Sequence, residues 1–224
     1  VAPPPPPATP ATPIVEEKKE VAPPPATPAT PAPTEAPSVT VKEEKVGLVD
    51  GTNYVINGEF NYPDYSGFWS LFATKEYDIA KFGWYVKFLS DMPCSVNDPL
   101  NTEGLLEIQN HSGEKIAELD SHCRVGSCLN TNIEIYQDLL LGPGTYVLSF
   151  SYMDRNSGAL DEGLFVSFGD VKLNIKSTSV WETYEAKVIV TGTTQKVRLY
   201  ARDAGTGNTF GALVDKFKVV KVSP

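Results

Sequence analysis

The chain has 224 residues, 41% of them apolar, with 28 acidic against 19 basic side chains and a formal charge of −9. A chain that acidic repels phosphate backbones and has no basic stripe in its sequence to offset this, so nucleic acid is not an expected partner. No stretch approaches about 18 consecutive apolar residues, so no transmembrane segment is expected.

Of the 19 prolines, 14 fall between Pro3 and Pro37. That segment has almost no aliphatic or aromatic content and cannot bury enough surface to offset the entropy of ordering. Ala8-Thr9-Pro10-Ala11-Thr12-Pro13 recurs as Ala26-Thr27-Pro28-Ala29-Thr30-Pro31, and the run Pro3 to Pro7 favours polyproline II, rising about 3.1 Å per residue. Residues 1–45 are therefore read as a disordered, Pro-rich linker or stalk, able to reach on the order of 100 Å. Glu16-Glu17-Lys18-Lys19-Glu20 keeps it solvated. Spaced Thr-Pro units without a basic flank favour a spacer over a ligand for proline-recognising domains. Such a tether is common between a secreted or anchored N-terminus and a folded head, which makes an extracellular or cell-envelope location the expectation. The chain opens inside this stretch, as a mature or truncated chain would.

Residues 46–224 are rich in Val, Ile, Leu, Phe, Tyr and Trp and form the expected folded domain, with 22 acids against 15 bases. Period-2 alternation dominates. Strand-like runs are Tyr54–Asn57, Gly83–Phe88, Leu105–Ile108, Lys115–Asp120, Ile133–Leu139, Thr145–Tyr152, Gly163–Phe168, Val171–Ile175, Glu185–Val190, Lys196–Ala201 and Leu213–Val222. Turn signals such as Gly142-Pro143-Gly144, Gly169-Asp170 and Thr191-Gly192 separate them. No segment has sustained helical periodicity. This pattern predicts an all-β, antiparallel β-sandwich or jelly roll. Trp84 and Trp181 lie in strand-like runs and are read as core.

Asn57-Gly58-Glu59-Phe60 opens the domain, followed by Ser66-Gly67-Phe68-Trp69 and Gly83-Trp84. Then come Leu106-Glu107-Ile108, His111-Ser112-Gly113, Ala117–Ser121, Ile135-Tyr136-Gln137-Asp138, Pro143–Phe150, Arg155 and Leu213–Phe217. In this order they resemble the galactose-binding-like jelly-roll modules, especially secreted domains that open with an Asn-Gly-x-Phe pattern. Carbohydrate-binding modules of glycoside hydrolases share that superfold. The resemblance, over residues 54–222, implies a non-catalytic, lectin-like module that recognises a glycan or cell-surface polysaccharide. The alternative is a structural or adhesive envelope protein whose sandwich binds a protein partner or self-assembles. The resemblance also implies a structural Ca2+, with Asp215 and the carbonyls around Asn61 as ligands.

Sugar recognition needs an apolar ring to stack on a pyranose and planar polar groups to meet its hydroxyls. The stretch from Asn61 to Ile79 holds Tyr62, Tyr65, Phe68, Trp69, Phe72 and Tyr77. These rings fold under as a satellite core with Trp69 as a lid, or at least one of them forms a stacking platform. The polar candidates are Glu107, His111, Glu118, Asp120 and Arg155. Pleating is expected to put Glu118 and Asp120 on one face, and Arg155 at a strand end beside Ser149 and Ser151. A carboxylate beside a guanidinium makes a planar edge suited to sugar hydroxyls; a structural Glu–Arg ion pair is the competing reading. Two carboxylates alone do not make a glycosidase without a cleft between them. No Gly-x-Ser-x-Gly, His-Glu-x-x-His or phosphate loop occurs, so no enzymatic activity is expected. Of three cysteines, Cys123 and Cys128 could close a short loop, Cys94 could pair with either, or all three could be free. The neighbouring His122 lacks the paired ligand spacing of a structural zinc site.

Overall fold

The structure, a computed structural model, describes residues 51–89, 104–111, 113–121, 131–155, 163–176, 178–204 and 211–223. The expected stalk, Cys94, His122, Cys123 and Cys128 lie outside them. The described residues form an antiparallel β-sandwich. One sheet runs β1 (Trp69–Phe72), β3 (Leu106–His111), β4 (Glu114–Glu118), β12 (Ala212–Ser223), β7 (Gly144–Asp154) and β10 (Glu182–Val190). The other runs β2 (Tyr85–Phe88), β6 (Thr131–Leu141), β11 (Gln195–Asp203), β8 (Gly163–Phe168) and β9 (Val171–Lys176), with the short β5 (Asp120–Ser121) also on β6. They are called below the β12 sheet and the β11 sheet. A 3-10 turn (Thr74–Glu76) and a one-turn helix α1 (Ile79–Phe82) connect β1 to β2. Among the described residues no helix is long and apolar enough to cross a membrane.

The alternation read from the sequence sets which residues meet between the sheets. Tyr146, Leu148, Phe150 and Tyr152 of β7 are buried, and so are Val197, Leu199 and Ala201 of β11. Each large side chain taken from water contributes about 1.5–3 kcal/mol. Trp84 is fully buried, stacked on Phe60 with centroids 5.6 Å apart and edge-on to Phe217 at 5.3 Å.

The Asn-Gly-x-Phe opening holds the first turn to the last strand. Asn57, at φ 53°, accepts the Tyr62 amide at 3.0 Å and donates to the carbonyls of Tyr62 and Phe82 at 2.7 and 3.1 Å. Its own carbonyl accepts the Trp84 indole N–H at 3.0 Å. Gly58 accepts the Phe217 amide at 3.0 Å, where β12 shifts register between Asp215 and Lys218. Gln137 of β6 then grips the turn through both ends of its amide, with Ile56 N and Ile56 O at 3.1 and 2.7 Å.

Three readings are corrected. Tyr54–Asn57 is not a strand: it leads into this turn, after a single bridge between Asn53 and Val220. The aromatic stretch contains an edge strand, β1, which its loop-like composition concealed. Trp181 is not core but 41% exposed, because it precedes β10, whose first half is exposed.

Candidate binding face

On the outward side of the β11 sheet the residues between the core positions fall into cross-strand rows. Tyr85, Tyr136, Tyr200, Ser167 and Lys172 form one row across β2, β6, β11, β8 and β9. Lys87, Glu134, Arg202, Phe165 and Asn174 form the next, and Asp138 faces Arg198. The first ring, Tyr85, is 41% exposed and lies stacked on Tyr136, with centroids 5.2 Å apart and planes at 17°. The Arg198 guanidinium sits 4.3 Å from the Tyr136 ring centre. Two parallel bonds, Nε to Oδ1 at 2.7 Å and Nη2 to Oδ2 at 2.9 Å, join that guanidinium to Asp138. This hydrogen bonding holds the Asp138 carboxyl below the usual carboxylate range. Beside this stack, Phe165 meets Tyr200 at 5.5 Å and lies under Arg202 at 5.1 Å. A pre-stacked ring–ring–guanidinium–carboxylate series presents an apolar surface next to a planar hydrogen-bonding edge.

The stack borders an open depression of about 510 Å³, lined by Thr74, Lys75, Tyr77, Ile79, Tyr85 and Tyr136 among others. Its far wall is fixed to β2 through Thr74, whose hydroxyl donates to Trp84 O at 3.0 Å and accepts from Val86 N at 3.2 Å. Asp78 caps α1 by accepting the Ala80 amide.

The residues singled out from the sequence lie elsewhere. Trp69, Glu107, His111 and Glu118 share the outward side of the β12 sheet, by the pairs Trp69 with Gln109, Glu107 with Glu118 and His111 with Glu114. Arg155 reaches Glu118 with Nη1 at 2.8 and 2.6 Å from its two oxygens. Glu107 and Glu118 are buried, however, and Gln109 donates to both of them while its oxygen meets His111 Nε2 at 2.8 Å. The Gly211 amide also bonds Glu118, at 3.1 Å. These bonds tie Glu118 to Gln109, Arg155 and Gly211 within the chain. Asp120 is not on the Glu118 face: the chain leaves the β12 sheet at Leu119, and Asp120 pairs with Asn132 of β6 in the other sheet. The crossover converts one expected strand into two. Of the aromatic stretch, Phe72 is buried and Tyr62, Tyr65 and Tyr77 pack on the core, while Phe68 and Trp69 stay exposed.

Burial pushes Glu118 up to about 8 against the pull of Arg155, with the Glu107 charge adding to the rise. Burial likewise pushes Asp215 up to about 6. Both carboxyls hold a proton more tightly folded than unfolded. The stability they confer is complete below their unfolded values of 4.5 and 3.8 and is lost as pH climbs through 6 and then 8. The melting temperature is therefore expected to fall between pH 5 and pH 8. Asp215→Asn should flatten the lower part of that decline and Glu118→Gln the upper part. A melting temperature that rises across this window contradicts both assignments.

The residues present do not fit a calcium cage. Asp215 Oδ1 accepts the Lys216 amide at 2.7 Å, and the Lys216 ammonium stands 4.0 Å from Oδ2 and 3.6 Å from Glu114. The Asn61 side-chain amide donates to Glu59 at 3.3 Å. Among the described residues no three acidic, histidine or cysteine side chains converge on one point. The positive charge beside Asp215 comes from the chain itself, since Lys216, at φ 57° in the register shift, turns toward the carboxylates. Chelation by EDTA is expected to leave the melting temperature unchanged. A rise of several degrees on adding calcium would show that backbone carbonyls complete a site here.

The face on the β11 sheet was visible in part. Tyr136 and Tyr200 stand at outward positions of strands read correctly, where alternation calls for polar residues. An aromatic at the wrong phase of an alternating strand was the available signal. The cations of this face form no run because every second residue of separate strands supplies them.

The protein is thus an antiparallel β-sandwich with an aromatic and cationic outer face. No family model matches the chain, and no curated protein matches it. Among solved structures it is similar to a CBM61 module in complex with beta-1,4-galactotriose, at 14% identity over 76% of this chain and 99% of that chain, TM-score 0.42. It is similar to a CBM4 structure at 15% identity over 75% of this chain and 99% of that chain, TM-score 0.40. A third is the CBM22-1 xylan-binding domain of Xyn10C from Paenibacillus barcinonensis, at 9% identity over 70% and 86% of the two chains, TM-score 0.33.

Proposed function

We propose that the domain is a non-catalytic glycan-binding module, carried outside the cell or in its envelope on the Pro-rich tether. Its ligand lies on the outward side of the β11 sheet. The observation that carries this reading is the exposed Tyr85, stacked on Tyr136 and bordering an open depression. Among the described residues Tyr136 covers one side of the Tyr85 ring and β2 pairs only with β6, so a pyranose would stack on the other side. The Arg198–Asp138 pair then offers donors and acceptors in one plane to vicinal hydroxyls. A non-catalytic role is supported by the state of the carboxylates. The adjacent pair, Glu107 and Glu118, is buried, and Asp138 on the open face is held by Arg198.

The test is calorimetric titration of the full chain with a panel of plant, bacterial and host polysaccharides, together with assay for released reducing ends. Saturable binding without cleavage is expected. Cleavage by the purified chain, or no binding across the panel, refutes the reading. One observation favours a second reading, an adhesive contact with a protein: Phe68 and Trp69, 65% and 48% exposed, lie at the edge strand β1 of the opposite sheet. Under the glycan reading Trp69→Ala leaves saccharide affinity unchanged; loss of affinity in that variant moves the site to the β12 sheet.

A further inference from the structure

We propose that the glycan this face takes is polyanionic, a polysaccharide with repeating carboxylate or sulfate groups; this rests on the reading that the β11 sheet binds glycan. Among the described residues the outward side of that sheet carries Lys87, Lys172, Lys176, Lys196, Arg198 and Arg202, against only Glu134 and Asp138. The chain as a whole is at −9, so this is a reversal of sign on one face. The opposite outward side is mixed: Glu107, Glu114, Glu118, Glu185 and Asp215 stand there with Arg155, Lys187, Lys216 and Lys218.

The cations are usable by a ligand. Lys87, Lys172, Lys176 and Lys196 are exposed. Arg198 has its charge met by Asp138, and Glu134 stands between Lys87 and Arg202 in the register, which leaves a surplus of positive charge spread from β2 to β9. With strands about 4.8 Å apart, these five strands span roughly 19 Å, enough for several sugar units. By register, neighbouring cations stand two strands or two to four residues apart, on the order of the screening length at physiological salt, so their fields overlap most at low salt. A neutral glycan would gain little from that field, whereas a chain of anions would gain at each unit. The Asp138 carboxylate favours a saccharide as the bearer of those charges, because it accepts from the hydroxyls a sugar presents and repels a phosphodiester backbone.

The test uses the full chain and three probes: polygalacturonate, its fully methyl-esterified form, and chondroitin sulfate. Each is titrated calorimetrically at low salt and at about 0.3 M salt. Polygalacturonate or chondroitin sulfate is expected to bind at least about tenfold tighter than the ester, and the preference should shrink at high salt. The stronger of the two identifies carboxylate or sulfate as the favoured anion. The triple variant Lys172→Glu, Lys176→Glu, Lys196→Glu should lose at least about tenfold for the polyanion with an unchanged melting temperature. Equal affinity for acid and ester, still abolished by Tyr85→Ala, overturns the charge inference and leaves the glycan reading standing. Binding of none of the probes, nor of any neutral saccharide, removes both. Duplex DNA binding as tightly as polygalacturonate also overturns the inference, since the face would then be an unselective cationic surface.

Discussion

Tyr85→Ala is expected to lower saccharide affinity by about 10- to 100-fold while the melting temperature stays within a few degrees. The size follows from the ring's role. Covering one aromatic ring with a sugar removes apolar surface worth about 1.5–3 kcal/mol, and each 1.4 kcal/mol is tenfold in Kd. Stability should change little because Tyr85 is 41% exposed and its ring stacks on Tyr136 outside the core between the sheets. Tyr136→Ala is the less clean experiment, since it also frees Arg198 from the ring it covers. Calorimetry with the best saccharide, with Trp69→Ala as the control on the other sheet, measures the effect. Wild-type affinity in Tyr85→Ala places the site off this face.

Gly58→Ala is expected to destabilise the domain by about 3 kcal/mol, a fall of roughly 6–12 °C in melting temperature. A Cβ at this position would lie 2.0 Å from the Phe217 carbonyl oxygen and 3.0 Å from its carbon. Both are backbone atoms in β12, so no side chain can rotate away. The turn must instead retreat, stretching the bond from Phe217 N to Gly58 O and loosening Phe60 from Trp84 and Phe217. Chemical denaturation gives the value directly. A loss below about 0.5 kcal/mol would mean the opening turn and the last strand are not joined in this way.

These two residues mark how far the sequence could be read. Period-2 alternation identified β7, β8, β9 and β11 nearly to their ends, because one side of each strand must be apolar for the sheets to stack. The Asn-Gly pair was recognisable as a signature, but its reason, a carbonyl of a strand about 160 residues away, is a property of the packed chain. The candidate site was harder to find for the same kind of reason. Glu107, Glu118 and Arg155 are polar residues in otherwise apolar strands and attracted attention, yet that prominence reflects bonds made within the chain. Tyr85, Tyr136, Arg198 and Lys172 are unremarkable singly, and only the register of β2, β6, β11 and β9 brings them to one surface. Asp120 shows the remaining limit: whether a strand continues or crosses to the other sheet leaves no periodic trace when both halves face the core.

Tyr136, clasped between one ring and one guanidinium, gave up its rotational freedom when the chain folded. A sugar stacking here would meet the two tyrosine rings and the Arg198–Asp138 pair already in their final orientations, so little ordering of these four side chains remains at the moment of encounter. Association should then run at a rate set by diffusion and charge, with no slow step of rearrangement, and variants that loosen the clasp should slow capture before they weaken the final complex.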